Sequence, residues 1–242
     1  MKQMTLDYRD GSTALKGVLL SDDSRAGNRP GIVLFPDARG IGAHAIERAG
    51  RLAAFGFVVL VADLYGDGAT ARDLPQAVEL MGALRADLGH WRTRAEASRL
   101  ALSQVDGVEP ARIAAIGYCF GGTTALELAR SGAPLAAVVS FHGGLSSERP
   151  DDAANIKAKV LVCHGAADGL VSMVQLHGFM EAIGKTGVDW QVQVYGNAAH
   201  GFTNPEADDP NIPDHGCDPA ADRRSWAAML GLLGEVFGMA SP

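Results

Sequence analysis

Residues 117–122 read GYCFGG and place Cys119, one of only three cysteines, between Gly117 and the pair Gly121 and Gly122. A thiol acts as a nucleophile in its thiolate form, which a helix N-terminus favours. A buried cysteine is also a common small hydrophobe, so the surroundings must separate the two readings. Glycines two positions before and two after Cys119 give the GxCxG form of the nucleophile elbow, a strand-to-helix turn too crowded for side chains at those positions. The flanks fit, with the apolar run RIAAIGY before the cysteine and the helix-forming stretch GTTALELAR after it. The stretch does not align to GxGxxG, and no GxxxxGK[ST] occurs, so neither phosphate-binding loop is indicated.

A thiol nucleophile needs a base within hydrogen-bond reach and an acid to orient that base. Of seven histidines, His200 closes VQVYGNAAHGF, in a loop just past the last apolar run. His142 and His164 also fall at strand ends, where a packed or backbone-bonded role serves equally well. His44 and His177 fall on expected helices, and His90 falls at a helix junction. The expected acid is Asp168 in VLVCHGAADGLV, after a strand and before a helix, where capping that helix is the alternative role. The order Cys119, Asp168, His200 repeats the nucleophile, acid, histidine order of α/β hydrolases.

Such a constellation needs a sheet whose strand ends meet at one rim. Apolar runs at 31–37, 57–66, 112–118, 135–144, 159–165 and 190–196 are mostly continuous Val, Ile and Leu stretches, as in parallel strands covered on both faces. The last of them alternates, as expected nearer an edge. Amphipathic stretches at 44–55, 75–88, 91–105, 122–131, 171–184 and 222–237 separate or follow them with helical period. The pattern predicts a doubly wound, mostly parallel α/β sheet with helices on both faces, in a single domain spanning 1–242, with an antiparallel strand at 15–20. Open sheets of this kind bind ligands at the carboxyl ends of their strands, where Cys119 falls.

Composition excludes other classes. With 242 residues and 47% hydrophobic content the chain supports a core without disulfides, and three widely spaced cysteines fit a reducing compartment. The polar start lacks the apolar core of a signal peptide, and no run approaches a membrane span. The expectation is a cytoplasmic protein without a membrane partner. A net charge of −7 with scattered Lys and Arg leaves no footprint for nucleic acid. Much of the acid lies in 206–222, a loop by composition. Its DHGCD segment gathers Asp214, His215, Cys217 and Asp218, but such short-range crowding suits tetrahedral metal geometry poorly, and no metal site is expected.

Together, GYCFGG, the acid in HGAADGLV, AAHGFTNP around the histidine and ADLYGDG after an early strand resemble the dienelactone hydrolase family of α/β hydrolases. The likeness covers most of the chain. The resemblance implies an α/β-hydrolase fold with a minimal cap, Cys119 as nucleophile, His200 as base and later acid, and Asp168 as the group that holds the imidazole. It implies an oxyanion hole built from the backbone N–H groups of Ala38 and Phe120, a small ester or lactone as substrate, a thioester intermediate and no cofactor. Two positions depart from the family pattern. Asp37 stands where the dienelactone enzymes carry a glutamate that controls the thiol, and Asn204 stands where they carry an arginine that grips a substrate carboxylate. Arg39, Arg85 and Trp91 are candidates to line the pocket, with surface or packing roles as the alternative.

Rival readings make separate demands. Glutamine amidotransferases, with a similar cysteine elbow, typically carry a glutamate two residues after the histidine, where this chain has Phe202. A thiol redox sensor needs only the exposed cysteine. A non-catalytic binding module needs only the fold. Oligomeric state is not encoded in these patterns.

Overall fold

The computed structural model describes residues 1–25, 27–207 and 215–238. Its strands are β1 (Lys2–Asp10), β2 (Thr13–Ser21), β3 (Arg29–Phe35), β4 (Val58–Val61), β5 (Val108–Tyr118), β6 (Ala137–Phe141), β7 (Lys159–Gly165) and β8 (Trp190–Tyr195). Its helices are α1 (Ala43–Ala54), α2 (Leu74–Arg85), α3 (Leu88–Ser103), α4 (Phe120–Arg130), α5 (Met173–Ile183) and α6 (Pro219–Phe237). The strands form one sheet in the order β1-β2-β4-β3-β5-β6-β7-β8. From β4 to β8 all neighbours are parallel, while β1 and β2 join as an antiparallel pair at one edge.

The continuous apolar runs are explained by two cores. Along β3, Val33 and Phe35 enter a core shared with α2, α3, α4 and α5, while Ile32 and Leu34 enter a second core shared with α1 and α6. Both faces of the central strands are therefore dry, and polar alternation has no place there. The alternating β8 is the far edge strand, half exposed along its length.

The structure refines several sequence expectations. The antiparallel strand expected at 15–20 is β2, but a further strand, β1, precedes it and pairs with it from Lys2 to Asp10. Met4, Leu6 and Tyr8 carry the two-residue period of β1, with the polar Thr5 and the charged Asp7 between them. The helix expected at 75–88 ends at Arg85, and a new one begins at Leu88, where the Asp87 carboxylate accepts the His90 N–H. The run at 57–66 is a strand only to Val61, because the carboxylate of Asp63 folds the rest into a loop. The loop expected at 206–222 yields at Pro219 to α6, capped by Asp218; Asp214 and the rest of 208–214 lie outside the described residues.

Between β3 and β5 the chain reverses direction across the sheet, since β4 lies on one side of β3 and β5 on the other. A reversal of this kind marks the carboxyl ends of β3 and β5 as the place where open α/β sheets bind ligands.

Candidate active site

The elbow forms because its flanking positions hold no Cβ. A Cβ on Gly117 would lie 2.0 Å from the Gly121 carbonyl oxygen, and one on Gly121 would lie 2.0 Å from the carbonyl oxygen of Phe35 on the neighbouring strand. Cys119 itself takes φ 53° and ψ −118°, a conformation that costs a residue with a Cβ about 1–3 kcal/mol. It directly precedes α4, and its carbonyl accepts the N–H groups of Gly122 and Thr123. The side chain is half-buried.

His200 Nε2 lies 3.1 Å from Cys119 Sγ, and His200 Nδ1 lies 2.9 Å from Asp168 Oδ2. The structure thus brings together three side chains distant in sequence, from the loops after β5, β7 and β8. The other oxygen of Asp168 accepts the N–H groups of Leu170 and Val171, which fixes the carboxylate. Burial opposes its ionisation, but the His200 ring and those two amides outweigh it and hold the carboxyl below its usual range. Burial would likewise lower His200, but the Cys119 sulfur and the Asp168 carboxylate raise it to about 10. The electrostatics place the proton of the pair on the imidazole when sulfur carries the charge.

Behind the elbow sits a second imidazole. The backbone N–H of Cys119 donates to His142 Nδ1 at 3.1 Å, and His142 Nε2 lies 2.9 Å from Thr203 Oγ1, three residues past His200. Burial, followed by the neighbouring histidines, pushes His142 well below its ordinary value, so it stays neutral and donates from Nε2. Its φ of 41° ends β6 and turns the ring toward the elbow. The chain of contacts continues through Thr203 to His44 and Arg48 of α1, and Arg48 pairs with Asp222 of α6 at 2.9 Å. His164, by contrast, is buried with no hydrogen-bond partner at either ring nitrogen among the described residues.

The loop after β3 carries Asp37, Ala38 and Arg39. Asp37 Oδ1 accepts the Arg39 N–H at 2.8 Å, and its carbonyl accepts the Gly40 N–H. Burial raises the Asp37 carboxyl above its usual range despite that bond. The Arg39 side chain is exposed, and so is Arg85, in the last turn of α2. Trp91 is buried: its Nε1 donates to Thr124 Oγ1, and its ring stacks on Phe120 at 5.1 Å. Asn204 is held in a turn, its side-chain oxygen accepting the Glu206 N–H.

Sequence reasoning did not single out Tyr65; it set His142 at a strand end, with a packed or backbone-bonded role as the alternative to catalysis, and the structure gives its ring a backbone partner in the Cys119 N–H. Tyr65 lies in the quoted ADLYGDG stretch, and its hydroxyl donates to the Ala38 carbonyl at 2.8 Å. A glycine-rich loop containing an aromatic residue was the available signal; its target is visible only in three dimensions.

In DHGCD, His215 Nδ1 bonds the Ala207 carbonyl and Asp218 caps α6. Among the described residues no group of three His, Cys, Asp or Glu side chains is arranged to hold a metal. Nor, among them, is any helix long and apolar enough to cross a membrane. Two surface cavities, of about 920 and 320 Å³, lie between β1 and α3 and beside α5, and neither is lined by Cys119.

Among solved structures, the chain is 45% identical to a dienelactone hydrolase-like promiscuous phosphotriesterase from metagenomic libraries, with a TM-score of 0.94 over 97% of this chain and 98% of that one. An uncharacterized protein of Caenorhabditis elegans is 35% identical over 156 residues, 62% of this chain and 96% of that protein. A putative carboxymethylenebutenolidase of Yersinia pestis is 25% identical over 236 residues, covering 89% and 82% of the two chains. The family model of dienelactone hydrolases matches residues 15–237, and with an eight-stranded α/β-hydrolase sheet beneath it the chain belongs to the dienelactone hydrolase family.

Proposed function

We propose that this chain hydrolyses carboxylic ester or lactone bonds with Cys119 as nucleophile, His200 as acid and base, and Asp168 as the group that orients His200. The observation that carries the reading is the unbroken line of contacts from Sγ to Nε2 at 3.1 Å and from Nδ1 to Oδ2 at 2.9 Å. Sulfur attacks the carbonyl carbon, forming a C–S bond and moving the π electrons onto oxygen. Backbone N–H groups of Ala38 and Phe120 receive that oxyanion; one such donor contributes roughly 3 kcal/mol. Collapse expels the alkoxide, which takes the proton from His200, and leaves a thioester. His200 then removes a proton from water, the hydroxide adds to the thioester, and collapse releases the acid and returns the electron pair to sulfur. The net change is ester plus water to acid plus alcohol.

Neutral substrates fit this site better than anionic ones. Asn204 carries no charge and spends its side-chain oxygen on its own turn, and Arg39 and Arg85 extend into solvent. The phosphotriesterase relative supports a wider range of neutral electrophiles, since the same sulfur can attack phosphorus and displace an aryl oxide.

The test is hydrolysis of p-nitrophenyl acetate and of a diethyl aryl phosphate, each expected to be lost in Cys119→Ala, with an acyl group found on Cys119 by mass spectrometry after rapid quenching. His200→Ala is expected to lose activity and His164→Ala to retain it. Full activity in Cys119→Ala rejects the reading, and sulfenic acid on Cys119 without any acyl adduct favours a redox sensor.

A further inference from the structure

Tyr65 meets both residues whose N–H groups are the proposed oxyanion donors, though not those N–H groups themselves. The Tyr65 hydroxyl donates to the Ala38 carbonyl at 2.8 Å, and the Tyr65 ring stacks on Phe120 with centroids 6.5 Å apart and planes 5° from parallel. Phe120 is in turn backed by Trp91. The same phenol lies close enough to Asp37 and Cys119 to feel their charge, and burial followed by those charges pushes its own ionisation far above the usual range. Tyr65 is therefore a neutral donor throughout the working pH range.

The peptide plane joining Ala38 to Arg39 is held at both ends. Its carbonyl accepts from Tyr65, and its N–H donates to the Asp37 carboxylate. One residue further on, the Arg39 carbonyl accepts the Ala71 N–H, and Gly40, at φ 88°, sits where a Cβ would lie 3.1 Å from the Ala69 carbonyl oxygen. The Ala38 N–H itself belongs to the preceding Asp37–Ala38 peptide, whose carbonyl accepts the Gly40 N–H at 3.0 Å; with the planes on both sides of the Ala38 Cα held, the direction of that N–H is restricted. The Tyr65 loop is itself anchored, because the buried Asp63 carboxylate accepts four backbone N–H groups, from Lys16, Tyr65, Gly66 and Gly68.

We infer that Tyr65 is a positioning residue for the oxyanion hole, with Asp37 as its counterpart on the opposite edge of the Ala38–Arg39 peptide. This rests on the proposed thiol mechanism and assigns Asp37 a backbone partner in place of the thiol control suggested by family resemblance. Preorganised donors work because they need not reorient as charge develops. A loosened peptide plane slows formation of the tetrahedral species while leaving substrate binding and the Cys119–His200 pair intact.

The experiment compares Tyr65→Phe, Asp37→Ala and Asp37→Asn with the parent chain. Tyr65→Phe keeps the ring stack and is expected to lower kcat for p-nitrophenyl acetate by about 10- to 100-fold with KM within about twofold, a part of what loss of a whole donor costs. Its affinity for an alkyl trifluoromethyl ketone, which adds sulfur to give an oxyanion, falls by a similar factor, whereas affinity for the matching alcohol does not change. Asp37→Ala behaves likewise, and Asp37→Asn, which still accepts the Arg39 N–H, retains activity. The pH profile of iodoacetamide alkylation is the same in all four proteins and also reports that each is folded.

Wild-type kcat in Tyr65→Phe overturns the inference, as does a loss of kcat accompanied by a shifted alkylation profile, which assigns the phenol to the thiol. A misfolded Tyr65→Phe leaves the decision to the Asp37 pair, where equal kcat values for Ala and Asn overturn it. Activity surviving Cys119→Ala defeats the thiol mechanism itself, a result separate from these.

Discussion

At the scale of residues, the meeting of Cys119, His200 and Asp168 was legible because each sits where an apolar run stops, and chain order supplied their grouping. The role of Asp37 was not legible. Its carboxylate bonds a backbone N–H two residues away, a contact set by local turn geometry that an Asp makes as readily in any surface loop. Burial raises its ionisation above 3.8, so the ionised form destabilises the folded chain once pH exceeds the folded-state value. Asp37→Asn keeps the acceptor and removes the buried charge. It is expected to raise Tm at pH 7 to 8, with the gain shrinking as pH falls through the folded-state value and vanishing below 3.8; scanning calorimetry across that range checks the sign.

Among the elements, the strands with two dry faces were legible from their continuous apolar runs, whereas β1 was not, because Met4, Leu6 and Tyr8 alternate with charged or polar residues on a half-exposed edge. The elbow was legible because its geometry tolerates almost no residue but glycine at two positions. That constraint reaches across the sheet: Gly121 is fixed by the Phe35 carbonyl of β3, so the loops carrying Cys119 and Ala38 are packed against each other. Gly121→Ala must displace one of them. The expected result is a loss of about 4 kcal/mol or more of stability, read from urea unfolding, and near-complete loss of esterase activity in the folded fraction. His142 joins another pair of loops, those after β5 and β8, from a left-handed position that no sequence pattern disclosed.

For the whole molecule, the edge hairpin of β1 and β2 belongs to the site's support. The Tyr8 hydroxyl accepts the Asp63 N–H at 3.0 Å, and β2 contributes the Lys16 N–H to the Asp63 carboxylate, so the antiparallel edge of the sheet braces the loop that presents Tyr65. Tyr8→Phe strands a buried N–H and is expected to cost about 1–3 kcal/mol, or a Tm lowered by about 2–10 °C, with a smaller fall in kcat than Tyr65→Phe causes. Thermal melts and steady-state rates on one preparation test both. Residue 39 is secured in its loop through its own amide and carbonyl, while its solvent-facing guanidinium acts on its surroundings through its charge, which eases ionisation of Asp37. Directed evolution can therefore randomise that one codon in the loop after β3 and select for new substrates without loosening the backbone that holds the Ala38–Arg39 peptide.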